Sequence, residues 1–209
     1  MHALVYRFDL HQGEEGCDIQ LHLRRSNRAR VFSVDAWQPN FNWITELLAV
    51  GGSYPSECAE LLAREHRIQA VIDLRGEAMP DVQLFRRHGI TLLHLPTSDM
   101  HPVETPDLEH GIRFANEFLD QGQRVLIHCE YGIGRSATLA LCVLVHRGHA
   151  PLDALALMKK QRPVVAPSPP QFACWSAWLD SYRFSSDVEW ELPSFEDFKA
   201  LAYVRPKKR

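Results

Sequence analysis

The chain has 209 residues, of which 45% are hydrophobic and 23% charged, enough for one main hydrophobic core and too apolar for a largely disordered chain. A formal net charge of -3 gives no electrostatic basis for a nucleic-acid partner or an acidic membrane surface. No stretch is long and apolar enough to span a membrane, and MHALVYRFDL lacks the pattern of a signal peptide, so a cytoplasmic location without membrane insertion is expected.

Residues 1–45 read as short extended runs, ALVYRF, DIQLHL and ARVFSV, separated by Gly, Glu and Asn-rich breaks, and predict a small N-terminal β extension. From Leu47 the pattern changes. LLAVGG predicts a strand and SECAELLAREH a helix, with Ser56 as N-cap and Leu61, Leu62 and Ile68 on the apolar side. AVIDL and TLLHL are further short strands. After Thr105, Pro106 stands at a first-turn position and Leu108, Ile112, Ala115 and Leu119 recur at helical spacing up to Gly122. RVLIH is a strand, and RSATLALCVLVHRG is apolar nearly all round, as a helix buried inside a domain should be, with Gly148 as its stop. Two more helical segments, 152–161 and 172–182, flank the proline-rich connector RPVVAPSPP. Strands interleaved with helices predict an α/β fold, a central mostly parallel sheet flanked by helices, over residues 46–184. Residues 185–209 are left as a C-terminal tail.

In such sheets sites form at the carboxyl ends of strands, and HCEYGIGRS, residues 128–136, lies between RVLIH and the buried helix. A loop that leaves a strand and enters a helix turns backbone N–H groups toward one point with the helix dipole behind them, which favours a bound oxyanion such as phosphate. Gly132 and Gly134 permit the tight curvature, and the backbone of Glu130, Tyr131, Gly132, Ile133 and Gly134 forms the cradle. Arg135 adds a planar fork for two phosphate oxygens. Cys129 at the base feels the same field, which favours the thiolate, and a thiolate beneath a phosphoryl group is placed for in-line attack. Ser136 can donate its hydroxyl to the sulfur as it leaves, and His128 is expected to orient the loop through hydrogen bonds.

HCEYGIGRS resembles the His-Cys-x5-Arg-Ser signature of the cysteine-dependent protein tyrosine phosphatase superfamily, and the layout from about residue 47 to 182, without long insertions, resembles its dual-specificity branch. That resemblance implies a phosphocysteine intermediate on Cys129, no cofactor, no metal, and a phosphorylated protein or small phosphoester as substrate. It also implies an aspartate from a separate loop as general acid. LHLPTSDMHPVETPDLEHG resembles that segment, and Asp99 lies 129 − 99 = 30 residues before the cysteine, as in dual-specificity members. Asp107 is the competitor, but an acid at a helix start is explained by the dipole alone. Asp73 and Arg75 border the site or form an exposed ion pair, and Arg162 resembles an arginine that is architectural in the family.

The other cysteines, Cys17, Cys58, Cys142 and Cys174, are scattered and read as structural, and His146 and His149 lack a third metal ligand nearby. Family members acting on inositol phosphates or phosphoinositides often carry basic residues in this loop, so the absence of Lys and Arg inside EYGIG counts against that reading while a phosphoinositide stays among the alternatives. LPTSDM also resembles the branch acting on phosphatidylglycerophosphate, so a lipid or small-molecule phosphatase stands as the alternative. A non-catalytic phospho-binding module and a rhodanese-type sulfurtransferase are the rivals from other classes.

Overall fold

The computed structural model describes residues 37–186 and 188–204. Five strands form one sheet: β1 (Phe41–Trp43), β2 (Leu48–Gly51), β3 (Ile68–Arg75), β4 (Thr91–Thr97) and β5 (Arg124–His128), in the order β1-β2-β5-β3-β4. The four from β2 to β4 are parallel and β1 pairs antiparallel with β2, which is the mostly parallel α/β sheet expected from the alternating pattern. Helices are α1 (Ala59–Arg64), α2 (Val82–Arg87), α3 (Thr105–Leu119), α4 (Arg135–His146), α5 (Pro151–Gln161), α6 (Pro169–Ser185) and α7 (Phe195–Ala202).

The two-residue period of the strands divides the core. Leu48, Val50, Ala70, Ile72, Leu74, Val125 and Ile127 face a large cluster that takes in α3 to α7. Ala49, Val71 and Leu126 face a smaller one with Leu62 of α1 and Phe85 of α2. Helix α4 is buried from Arg135 to Val145, which explains why its sequence is apolar on every side. That helix starts where β5 ends, so the 128–136 loop sits at the carboxyl edge of the central strand.

Four readings of the sequence change. The runs ALVYRF, DIQLHL and ARVFSV lie outside the described residues, while residues 41–43 form an edge strand of the main sheet, so a boundary after residue 45 cuts through the β1–β2 hairpin. Ser56 opens a short 3-10 turn, Ser56–Cys58, whose N-cap is Pro55, and it makes no capping bond; Ile68 belongs to β3. Helix α2 was not anticipated: its signal is Asp81, whose side chain accepts from Leu84 N at 3.0 Å. The segment read as a tail carries α7, opened by a capping box between Ser194 and Asp197 and anchored by the buried Phe198.

Candidate active site

The 128–136 loop is shaped by where its carbonyls go. Glu130 O accepts from Ser53 N at 2.8 Å, Tyr131 O from Arg162 Nη2 at 3.0 Å, Gly132 O from Arg162 Nε at 2.8 Å, and Ile133 O from Ala166 N at 3.0 Å. With four consecutive carbonyls held by the scaffold, the backbone of the loop is fixed from outside. Gly132 N donates to Cys129 Sγ at 3.3 Å. Gly132 has φ +69°, and a Cβ there would overlap the Gly51 carbonyl, so both the dihedral and the close approach demand glycine. Ser136 Oγ lies 3.3 Å from Cys129 Sγ, placing a hydroxyl against the sulfur as the spacing suggests.

Arg162 is 3% exposed, and its remaining donors reach Asn42 Oδ1 at 2.8 Å and Asn40 Oδ1 at 3.0 Å. It therefore ties the N-terminal edge of the sheet to the back of the loop. Arg162 was readable as architectural from its position, but its asparagine partners, more than a hundred residues away, were not.

Arg135, 1% exposed, is gripped on its outer edge. Nη1 donates to Glu77 Oε2 at 2.8 Å and to Thr97 O at 2.8 Å, and Nη2 donates to Glu77 Oε1 at 2.9 Å. Asp99 Oδ1 lies 3.2 Å from Nη2, which brings the expected acid to the same guanidinium. Nε is buried and has no hydrogen-bond partner among the described residues, leaving one donor for an incoming oxyanion where the sequence suggests a fork for two, since Glu77 takes both terminal nitrogens. The Glu77 pairing pulls that carboxyl below its ordinary value. Glu77 escaped the sequence reading, although an acid just beyond the end of a central strand is a signal that could have found it. Glu77→Ala strips a nearly buried guanidinium of its bidentate partner, and kcat/KM on any phosphomonoester is expected to fall by about 10–100-fold. Unchanged kinetics in that variant would show that the backbone alone orients Arg135.

Asp99 follows β4 and shares with Gly76, Glu77, Ser98, Glu130 and Tyr131 the lining of a cavity of about 440 Å³. Pro96 lies inside β4, tolerated because that strand is the sheet edge. Asp107 sits in the first turn of α3 and does not line this cavity. Glu130 points a carboxylate to within 4.0 Å of Arg75 Nη1.

His128 is buried, its Nε2 is 3.8 Å from Asp73 Oδ2, and Tyr54 packs against the ring at 4.7 Å between centroids. Its Nδ1 makes no well-formed hydrogen bond among the described residues, while the Cys129 backbone beside the ring favours the charged form as a hydrogen-bond acceptor would. Asp73 is itself buried, and burial would raise its pKa. Hydrogen bonds from Arg75 Nε and Nη2 and the nearby His128 outweigh this and hold it below its ordinary value. Burial, against the pull of Asp73, lowers His128 from 6.5 to about 4. The unfolded chain then binds the proton first as pH drops. Stability should fall between pH 6.5 and about 4, by up to about 3 kcal/mol. Urea midpoints near pH 7 and near pH 5 check this, and a midpoint that does not move would contradict it.

The other described cysteines are inert by environment: burial pushes the Cys142 and Cys174 thiols up and Cys58 to about 11. His146 Nδ1 is bonded to Asn116 Nδ2 at 3.0 Å, which accounts for it as part of a structural hydrogen bond.

Comparison with known proteins agrees with this geometry. Residues 52–178, more than half of the chain, match the family profile described as dual specificity phosphatase, catalytic domain. Phosphatidylglycerophosphatase and protein-tyrosine phosphatase 1 of Homo sapiens is 31% identical over 118 residues, 53% of this chain and 58% of that protein. Dual specificity protein phosphatase 2 of Mus musculus is 36% identical over 76 residues, 35% of this chain and 24% of that protein. The chain thus spans about half the length of one relative and a quarter of the other. Among solved structures, PTPMT1 in complex with PI(5)P superposes with a TM-score of 0.65 at 20% identity, covering 70% of this chain and 98% of that one. Tk-PTP in the active form gives 0.63 at 24% identity, covering 69% and 99%. At those identities the likeness is one of fold.

Proposed function

The chain belongs to the dual specificity phosphatase family, and from that premise we propose that it hydrolyses phosphomonoesters through a phosphocysteine intermediate on Cys129, with Asp99 as general acid. The observation that carries this reading is the meeting of Cys129, Ser136, Arg135 and Asp99 across one short loop and one neighbouring turn. Phosphate oxygens bind the loop amides and the free Nε of Arg135. The Cys129 sulfur attacks phosphorus, the P–O bond to the leaving group breaks, and Asp99 gives that oxygen its proton. Water then attacks phosphorus and gives a proton to the Asp99 carboxylate, which restores the acid, while the S–P bond breaks, phosphate leaves and the Ser136 hydroxyl supports the departing thiolate.

Phosphotyrosine and phosphoserine or phosphothreonine in proteins are the proposed substrates. Three carboxylates, Glu77, Asp99 and Glu130, line the mouth, which favours a single phosphate group over a multiply phosphorylated headgroup. A lipid monophosphate is the second reading. It is supported by the human relative named a phosphatidylglycerophosphatase, by the neighbour solved with PI(5)P, and by the exposed Met79 and Met100 on the loops that supply Glu77 and Asp99. Initial rates of the full chain on phosphopeptides, phosphatidylglycerophosphate and phosphoinositides, measured side by side, decide between them. A peptide preference supports the first reading, and a lipid kcat/KM at least tenfold higher overturns it.

The Arg135 guanidinium, reaching the phosphate through Nε, and the loop amides supply the charge stabilisation that a metal would otherwise supply. EDTA is therefore expected to leave the rate unchanged. Strict dependence on added magnesium would contradict this mechanism.

A further inference from the structure

Residues 162–168, RPVVAPS, hold two prolines and form no regular element between α5 and α6, so their backbone carbonyls need partners from elsewhere. Those partners come largely from one side. Lys159 Nζ donates to Pro163 O at 2.8 Å, Val165 O at 2.9 Å and Ala202 O at 2.8 Å, the last at the C-terminal end of α7. Tyr203, which follows α7, donates its hydroxyl to Pro167 O at 2.8 Å. Phe198 of α7 packs on Phe172 of α6, 4.7 Å between ring centroids. Helix α7 lies outside the matched family region, 52–178.

On its other side the same segment grips the turn that carries Asp99. Ser168 Oγ donates to Met100 O at 3.1 Å, and Gln171 Nε2 donates to His101 O at 3.2 Å. Met100 has φ +62°, a left-handed conformation that a side chain of its size rarely adopts, so the turn beside Asp99 is kept in place by its surroundings. The carbonyl held by Tyr203 belongs to Pro167, directly next to the serine that holds Met100.

Resting on the assignment of Asp99 as the general acid, we infer that α7 is a latch for the acid turn, and that Tyr203 and Lys159 are positioning residues for proton delivery, acting through Pro167, Ser168 and Met100. Neither touches substrate. Loosening the latch at Pro167 lets the turn relax at Met100 and misplaces the Asp99 carboxyl, while the Cys129 loop keeps Ser53 N and the Arg162 side chain on its carbonyls and shares with the segment the bond from Ala166 N to Ile133 O.

The test is a double-mutant cycle in the full chain with two substrates, an alkyl phosphate that needs a proton on its leaving oxygen and p-nitrophenyl phosphate that needs little help. Tyr203→Phe is expected to lower kcat on the alkyl phosphate by about three- to tenfold, the size of one hydrogen bond, and to change p-nitrophenyl phosphate turnover by less than about twofold. Lys159→Met should show the same split, and in an Asp99→Ala background Tyr203→Phe should cost nothing more. The latch is overturned by a Tyr203→Phe loss equal on both substrates, by no loss at all, or by a loss that adds in full to Asp99→Ala. The acid assignment fails separately: it falls if Asp99→Ala alone shows the same deficit on both substrates, and the latch falls with it.

Discussion

Cys129→Ser is expected to abolish turnover, lowering kcat by about 10⁴–10⁶-fold, while leaving the fold and the affinity for inorganic phosphate close to those of the parent chain. The substitution exchanges sulfur for oxygen at a site 2% exposed, where Ser136 Oγ and Gly132 N each lie 3.3 Å away, so the new hydroxyl is accommodated without a cavity. The donors proposed to bind phosphate, Arg135 and the loop amides, are untouched. What is lost is the nucleophile, since a serine hydroxyl stays protonated where a thiol ionises. Steady-state rates together with a binding titration of phosphate separate the two effects. Substantial residual turnover would end the covalent mechanism, and loss of phosphate affinity in a folded variant would show that the sulfur shapes the loop.

Asp99→Ala is the second large effect. On a poor leaving group such as an alkyl phosphate, kcat should fall by about 10²–10⁴-fold, because an alkoxide leaves badly unless a proton arrives as the P–O bond breaks. The deficit should shrink for p-nitrophenyl phosphate, and the limb of the kcat pH profile that reports the acid should disappear. Asp107→Ala should barely matter, since that residue lies in the first turn of α3 and outside the cavity that Asp99 lines. Asp99 also faces Arg135 Nη2 at 3.2 Å, so a deficit equal on good and poor leaving groups would assign it to steadying the guanidinium. A larger loss at Asp107 would move the acid into α3.

Local chemistry made the central elements legible. The short apolar run in RVLIH, the all-round apolarity of the helix after it and the glycines between them place β5, the loop and α4 from the sequence alone, and the structure puts them there. The relation of Cys129 to Ser136 follows from one short loop and needed nothing distant. Glu77 was legible only as an acid beyond a strand end, because its pairing lies with a partner 58 residues away, and a carboxylate in a turn is solvated more often than paired. Asn40 and Asn42 were hidden for the same reason, since β1 is three residues long and carries little pattern of its own. The layer around His128 was hidden too: its place beside Cys129 suggests a loop contact, but not that Tyr54 and Asp73, both distant in sequence, pack around its ring. Helix α7 is short and follows a mixed stretch, and only packing on Phe172 and Trp175 shows why Phe198 is there.

The most direct test is to look for the phosphocysteine itself. Ser136→Ala removes the hydroxyl 3.3 Å from the sulfur and should slow the second step more than the first, so the intermediate accumulates with p-nitrophenyl phosphate. Rapid quenching followed by peptide mass spectrometry is expected to find one phosphoryl group per chain, on Cys129, formed in a burst that matches the release of p-nitrophenol. Burst-free turnover with no phosphorylated peptide, or a phosphoryl group on any other residue, would contradict covalent catalysis by Cys129.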